Sequence, residues 1–559
     1  MAISIFGVWD YVVLVLVLLI SSAIGIYYRL TGGKQKTMQE YLLADRNMSI
    51  IPVAFSLMAS FMSAITLLGV SSENYSFGIQ FVVINLSYVI FTPIAAYLYL
   101  PVFFKLQATS AYEYLERRFG PSTRLAASLC YSLQMVLYMG IVLYAPALAL
   151  EALTGISQVS AILSVGLVCT FYSTIGGMKA VLMTDVFQSL LMYAAIFSVI
   201  ICAAVYKGSL SEIWRIAAEG NRTSILNFNP DPTVRHSWFS LIIGGGVIFL
   251  SLYGVNQTQV QRYLTISTSF AGLSIYSKYF DCDPVSAKII SKDDQLMPYF
   301  VVDSMGHIPG LSGIFVAGIF SASLSTISAG LNSMAAVTME DYFKPVYRLC
   351  KQKALSENFC SVLTKVFTFS YGVACIAIAF LAAYLGGVLQ ASLTIFGVVG
   401  GPLLGLFTLG MFTTIANERG ALTGLAVGLL MTLWIGFGGP KPPPPKLPVS
   451  TYGCDNELVS MLSLNTTSIP QSEYFWLYRI SYLYYGVLGL LSTLIVGGVV
   501  SFISNKGRGS KEEIMDPNLF IPPLAKRLRR RLGQSLAMAT LSGSLAELNE
   551  AIRKNGVNK

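Results

Sequence analysis

Apolar residues fall along this chain in runs of about twenty, the length an α-helix needs to cross a ~30 Å hydrocarbon core. The runs predict spans at 8–28, 51–71, 78–100, 122–150, 156–176, 184–206, 237–255, 310–336, 362–384, 388–413, 420–437 and 479–503. Two of them break the apolar pattern. The stretch 310–341 carries five hydroxyls between Ser321 and Ser328, and at 100° per residue Ser321, Ser325 and Ser328 share one narrow face with Thr326 at its edge. Two readings fit that face. One is close helix packing with serines bonded back to their own carbonyls; the other is a site for a small hard cation, which gathers several neutral or anionic oxygens and needs a second helix to complete the set. Span 51–71 is a candidate for that second helix. Its core mixes Ser56, Ser60, Ser63 and Thr66 with Ala and Gly, which weakens a continuous helix and offers unwound carbonyls, an arrangement tolerated at membrane depth only beside a cavity or inside protein.

Composition agrees with the pattern. Hydrophobic residues make up 54% of the chain and charged residues 12%, about half the charge of a soluble domain, and mean hydropathy is +0.64. The chain is read as an all-α polytopic membrane protein. Its formal net charge of +9 sits in a few loops and the tail, the distribution that orients a protein in a bilayer and not that of a nucleic-acid binder. Arg29, Lys34, Lys36 and Arg46 make the first connection cytosolic, as do Lys105, Arg117 and Arg118, then Lys179, then Lys344, Arg348, Lys351 and Lys353, and finally the tail with Lys526, Arg527, Arg529, Arg530 and Arg531. The expected topology is therefore a multi-pass protein with its N-terminus outside and its C-terminus in the cytosol. The loops at 207–236 and 438–478 fall outside, carrying sequons at Asn221 and Asn465, which only the lumenal side can glycosylate. Cys282 and Cys454 also fall outside, where a disulfide is permitted. No CxxC spacing occurs, the two histidines lie in loops, and the spans hold no paired-carboxylate or His/Cys constellation, so an enzyme is not expected.

Two runs of five helices, 50–206 and 237–413, can be superposed, each opening on a polar, glycine- or serine-rich span. An odd number of crossings makes them opposite in topology, the inverted-repeat plan of many secondary transporters. The expected domains are then an N-terminal extra helix and cytosolic loop at 1–49, the first repeat at 50–206, an outer loop at 207–236, the second repeat at 237–413, C-terminal helices with a proline-rich outer loop at 414–505, and a basic tail at 506–559. This orientation requires a thirteenth crossing between Arg262 and Asp281, where only a shortened helix at 263–280 fits.

Four stretches carry a resemblance: TIGGMKAVLMTDVFQ at 174–188, YGVNQTQVQRYLT at 253–265, SASLSTISAGLNSMAAVTMED at 321–341 and GVLQASLTIFGVVGGPLLGLF at 387–407. In this order they resemble the sodium/solute symporter family, in the branch of sodium-coupled monocarboxylate, multivitamin and iodide carriers. Sugar carriers have Asn and His in the second span where this chain has Phe61 and Thr66. The resemblance implies a five-plus-five inverted-repeat, LeuT-like core with extra flanking helices. It also implies a sodium site from the carbonyls of Ala59, Met62 and Ala322 with the hydroxyls of Ser325 and Thr326, and Asp185, Gln188 and Ser328 linked to sodium binding and release. The substrate pocket is expected at Phe61, Thr66, Tyr253, Gln257 and Gln390, with an ordinary interhelical hydrogen bond or packing contact as the alternative for each. Thr and Gln suit a small anion because they offer donors without a fixed cation. No Arg or Lys lies in these pocket segments, so neutralisation is expected from bound sodium and helix N-termini.

The expected function is a plasma-membrane sodium-coupled symporter of a small organic anion such as a monocarboxylate, working by alternating access. The alternatives are a multivitamin or iodide carrier, a non-transporting sodium-binding sensor, or a shortened isoform that does not transport. The expected partners are sodium ions, a small anionic solute and the lipid bilayer, with no nucleic acid.

Overall fold

The computed structural model describes residues 6–30, 63–106, 110–255, 265–351, 355–382, 384, 386–454, 473–506 and 516–532. These residues form helices and loops with no strand among them. In chain order the helices are α1 (Val8–Leu30), α2 (Ala64–Phe77), α3 (Ile79–Leu106), α4 (Glu113–Arg118), α5 (Pro121–Thr154), α6 (Gln158–Lys207), α7 (Leu210–Glu219) and α8 (Ser240–Tyr253). There follow α9 (Thr265–Lys278), α10 (Leu296–Met305), α11 (Leu311–Lys351), α12 (Glu357–Ala382), α13 (Val388–Phe412), α14 (Glu418–Phe437), α15 (Tyr482–Lys506) and a tail helix, α16, at 522–532.

Among the described residues eight helices are long and apolar enough to cross a membrane. They divide by what they bury. In α11, α13 and α5 the apolar stretch is 94%, 89% and 83% enclosed, whereas α3 and α12 enclose only a third of theirs. An all-round apolar helix that is enclosed is a core helix, and one that turns Leu, Val and Phe outward faces lipid. The hydroxyl-bearing helix thus stands at the centre of the bundle.

Small residues allow the closest approaches. Gly420, Gly424 and Gly428 of α14 lie on one face, where an added Cβ would come within 3 Å of Ser501, of Gly497 and Thr493, and of Thr493 on α15. The backbones meet there with no side chain between them. Gly318 of α11 backs in the same way onto Leu191 and Ala195 of α6. Asp10 at the start of α1 accepts from the Gly313 N–H at 2.9 Å and is buried, fixing the N-terminal helix to the head of α11.

Two predicted boundaries are corrected. Spans 156–176 and 184–206 were separated in the sequence reading by a cytosolic connection at Lys179, but α6 is one continuous 50-residue helix. Nothing in 158–207 interrupts it: the stretch has no proline, and Gly176 and Gly177 cost only about 1 kcal/mol each relative to alanine. The second correction lies at the other end of α11, which continues past 336 through a π-helical turn at Thr338–Phe343 into Lys344–Lys351. The polar loop 207–236 also contains a helix, α7, whose N-cap Ser209 accepts from the Glu212 N–H at 3.2 Å.

The short helix lies where the sequence required a crossing. It runs for 14 residues, Thr265–Lys278, and packs on α2, with Gly272 against the Ser71 carbonyl and Ser71 Oγ donating to the Thr268 carbonyl at 3.4 Å. Just beyond it Cys282 and Cys454 form a disulfide across 172 residues of chain. Close by, Arg222 is completely buried. Its guanidinium stacks 3.9 Å from the Tyr276 ring and donates to the carbonyls of Gly220 at 2.6 Å and Tyr75 at 3.2 Å, tying α7, α2 and α9 together.

Candidate functional site

On α11, Ser321, Ala322, Ser323, Ser325, Thr326 and Ser328 are all buried, as is Asn332 one turn further on. The hydroxyls divide into two groups. Ser323 Oγ donates across to the Val142 carbonyl of α5 at 3.0 Å, and Ser328 Oγ donates to the Ser325 carbonyl at 3.0 Å. These are the packing bonds that the conservative reading expects. Ser321 Oγ, Ser325 Oγ and both amide atoms of Asn332 have no hydrogen-bond partner among the described residues. Leaving a buried polar atom unpaired costs about 1–3 kcal/mol, so this group suits a ligand better than it suits packing. Thr326 Oγ1 lies 2.9 Å from the Ala322 carbonyl oxygen, which sets two oxygens side by side one residue from the Ser325 hydroxyl.

The facing helix is α6. Leu191 and Ala195 meet Gly318 of α11, and seven residues beyond Ala195 Cys202 Sγ reaches the carbonyl of Ser304 on α10, just before α11 begins, at 3.5 Å, so α6 runs toward the head of α11, antiparallel to it. At an equal rise per residue on both helices, Gln188 and Asp185 come level with the stretch Ser321–Ser328. Both are fully buried, and neither amide atom of Gln188 has a partner among the described residues. Asp185 is therefore an enclosed mid-helix carboxylate and not an exposed helix end. Neutral oxygens with one enclosed carboxylate form a donor set that fits a hard monovalent cation. Ala59 and Met62, the remaining ligands expected from the sequence, lie outside the described residues.

The substrate candidates fall at two levels. Thr66 is half-buried in the first turn of α2, and one turn on, Gly69 touches Leu389 and Val388 at the start of α13, next to Gln390. Tyr253 is buried at the end of α8, stacked 4.4 Å from Phe249, which itself stacks on Tyr88. Nearby, Ser251 meets Gly400 of α13. Ten residues of helix, about 15 Å, separate Gly400 from Gln390, so Thr66 and Gln390 lie on the two helices that meet at Gly69, whereas Tyr253 lies deeper. Phe61 and Gln257 lie outside the described residues. Next to Tyr253, Tyr112, Tyr131, Gln134, Ser251, Val255, Gly400, Leu403 and Phe407 enclose a small cavity with room for about one water molecule. Gln134 and Ser251 went unnoticed in the sequence because each is a lone polar residue in an apolar run. Gly400 ends a π-helical turn at Phe396–Gly400, a distortion that commonly marks functional positions.

The pocket segments contain no cation, yet the structure sets one on Gln390 from the loop before α8. Arg235 Nη1 donates to Gln390 Oε1 at 2.8 Å, while its Nε and Nη2 donate to the two Glu73 oxygens at 2.7 and 3.0 Å. His236 Nε2 lies 3.0 Å from the Tyr482 hydroxyl and 3.3 Å from Glu73 Oε1. The group is not visible as a local pattern because Arg235 and Glu73 are 162 positions apart. Asp294, also buried, accepts the Val388 N–H at 3.0 Å and so caps the first turn of α13 beside Gln390.

Two loop groups in this region titrate in opposite senses. Burial holds the His236 imidazole down to about 4 from its ordinary 6.5, and burial pushes the Asp294 carboxyl up to about 6 from 3.8. Between pH about 4 and 6.5 the unfolded chain holds more protons at His236, so this group makes stability rise with pH; between 3.8 and about 6 the folded chain holds more at Asp294, and stability falls as pH rises. Each effect amounts to about 3 kcal/mol and they nearly cancel. Asp294→Asn is expected to make thermal stability in detergent drop on acidification from pH 6.5 to 4, and His236→Gln to make it climb. Parallel pH profiles for both variants would contradict this.

Comparison with known proteins follows the same lines. A family model described as the sodium:solute symporter family matches residues 41–282 and 272–428. A putative sodium-dependent multivitamin transporter of Drosophila melanogaster is 54% identical over 577 positions, covering 97% of this chain and 95% of that protein. The human sodium-coupled monocarboxylate transporter 1 is 43% identical, covering 92% of this chain and 90% of that protein. The sodium-dependent multivitamin transporter of Oryctolagus cuniculus is 41% identical, covering 94% and 86%. Among solved structures, the substrate-bound outward-open state of a Na+-coupled sialic acid symporter matches with a TM-score of 0.70 at 23% identity, over 89% of this chain and 98% of that one. At that identity the match establishes a shared, LeuT-like fold.

Proposed function

Because the chain belongs to the sodium:solute symporter family and is a multi-pass, sodium-coupled solute symporter, we propose that its solute is a small organic anion bearing a carboxylate, either a monocarboxylate or a vitamin. The observation that carries the cation half is the set of buried polar atoms on α11 with no partner among the described residues, at a level of the bundle where α6 buries Gln188 and Asp185. Sodium is assigned to Ser325, Thr326 and the Ala322 carbonyl, with Ala59 and Met62 completing the shell and Asp185, Gln188 and Ser328 on its release path. The anion is assigned to the region of Thr66 and Gln390, with Phe61 and Gln257 beside it and Tyr253 beneath.

The reading places the protein in the plasma membrane with its N-terminus outside and its C-terminal tail in the cytosol. The Cys282–Cys454 disulfide supports this, since disulfides persist on the oxidising side. The exposed Asn221 of the first sequon agrees with it. The test is uptake of lactate, pyruvate, nicotinate, biotin and iodide by cells expressing the chain, in sodium and in choline medium. Sodium-dependent uptake of at least one carboxylate is expected. Uptake of iodide alone would move the chain to a halide carrier, and no uptake of any of the five would contradict the reading.

A second reading rests on α9. The family model matches in two pieces that meet at 272–282, and an alignment of 577 positions on 97% of a 559-residue chain contains gaps opposite this chain. The first places a break in the match at this helix, and the second shows that the relative has positions with no counterpart here. On this reading the chain is a shortened isoform that binds sodium without completing the transport cycle.

A further inference from the structure

Arg235 is the one cation that the described structure sets against a substrate candidate, and it is held on every side. Its guanidinium lies 4.3 Å from the Phe77 ring and 5.0 Å from the Tyr482 ring, and Glu73 spans its Nε–Nη2 edge. The backbone is pinned as well, since Ser481 Oγ donates to the Arg235 carbonyl at 2.7 Å. Four elements therefore fix the side chain: α2, the loop before α8, the start of α13 and the turn leading into α15. Its side chain is 13% exposed, enclosed but reachable.

Donor accounting shows what remains. A guanidinium has five N–H groups and no acceptor. Glu73 takes two and Gln390 one, which leaves one N–H on each terminal nitrogen with no partner among the described residues. Because arginine can only donate, the oxygen of the Gln390 amide must face it, and the amide NH2 is turned away. Both residues then present donors alone. A carboxylate, with two oxygens in a plane, matches such a set in a way that a spherical halide or a neutral amide does not. Glu73 has a second role. Both its oxygens are committed to Arg235, so the pair is neutral overall and an anion is held by hydrogen bonds without the full attraction of an isolated buried charge. A carrier needs this, because a ligand bound too tightly is not released.

We infer that Arg235 and Gln390 form the outer recognition point for the carboxylate of the transported solute, with Glu73 as the positioning residue that fixes the guanidinium and limits its hold. The inference rests on the proposed anion specificity and adds to it the residue that reads the charge. Arg235 lies in none of the stretches that carry the family resemblance, and its role follows from its contacts alone.

The experiment compares nicotinate, lactate and biotin, each against its primary amide, in the full chain and in two variants at equal surface level. Arg235→Lys keeps the charge and loses the fork. The double variant Glu73→Gln with Arg235→Gln removes both charges together, so that no buried ion is left unpaired. In each variant the KM for the carboxylate is expected to rise about tenfold or more. Inhibition by the amide should change less than twofold, and sodium half-saturation at saturating solute should stay the same. A rigid strut with no recognition role would lower maximal uptake and move acid and amide alike, and that result overturns the inference. The unaltered chain is measured first. If it takes up none of the three acids in sodium, the proposed function fails and takes this inference with it; uptake with unchanged acid-to-amide discrimination in both variants overturns this inference alone.

Discussion

Replacing Ser325 and Thr326 together by alanine is expected to raise the sodium concentration for half-maximal uptake at least tenfold, with the KM for solute following only at low sodium. Each change removes one hydroxyl from a buried, uncharged set and adds no bulk. A hydrogen-bonding group facing a charge contributes about 1.5–3 kcal/mol, or roughly tenfold per ligand in an equilibrium constant. Neighbouring ligands do not add independently, so the double variant is expected to fall short of the product of the singles. The Thr326 hydroxyl also bonds the Ala322 carbonyl at 2.9 Å, and Thr326→Ser, which keeps that oxygen, is expected to restore most of the sodium dependence. The competing account, in which this face only packs helices, makes a different forecast: lower stability with sodium dependence unchanged in both singles and the double. Observing that would remove the sodium assignment.

Inserting a complete helix after Thr265 is expected to raise uptake per surface molecule about tenfold or more, the second large effect. At 1.5 Å per residue the 14 residues of α9 reach about 21 Å, against a hydrocarbon core of about 30 Å. Cys282, four residues beyond Lys278, is tied to Cys454, so the Lys278 end of α9 is fixed. The shortfall then lies at the Thr265 end. Its buried face rests on α2 and is shielded from lipid, which explains how a short helix is accommodated without exposing backbone to hydrocarbon. Accommodation does not lengthen the helix, and on the shortened-isoform reading uptake is where the difference should be felt. Glycosylation of Asn465 in both forms would establish that each makes the crossing. Equal uptake by the two at equal surface level would show that the short helix suffices.

Much of this architecture was legible in the sequence because membrane helices announce themselves by length and composition. The hydroxyl face of α11 could be read from spacing, since Ser321, Ser325 and Ser328 share a face whatever packs against them. What spacing could not decide was which hydroxyls are spent on packing. That depended on Ser323 finding the Val142 carbonyl while Ser321 and Ser325 found nothing among the described residues. The continuity of α6 was missed because charge at Lys179 argued for a connection, and a lysine interrupts hydropathy without interrupting a helix. Arg235 and Arg222 were missed for another reason. Both lie in a polar loop, where a basic residue is ordinary, and only the folding of this loop over α2 buries one against Glu73 and the other against Tyr276. Local pattern reports secondary structure and depth; it does not report which loop closes over which helix end.

Sodium coupling of a small carboxylate is tested most directly in proteoliposomes containing the purified chain, loaded without solute and given an inward sodium gradient at fixed membrane potential. The account predicts that radiolabelled nicotinate, lactate or biotin rises inside above its external concentration and falls back when the gradient is collapsed, and that an inward gradient of the same solute drives labelled sodium inward. Equilibration of every solute to its external level and no further, with sodium flux indifferent to solute, would contradict it.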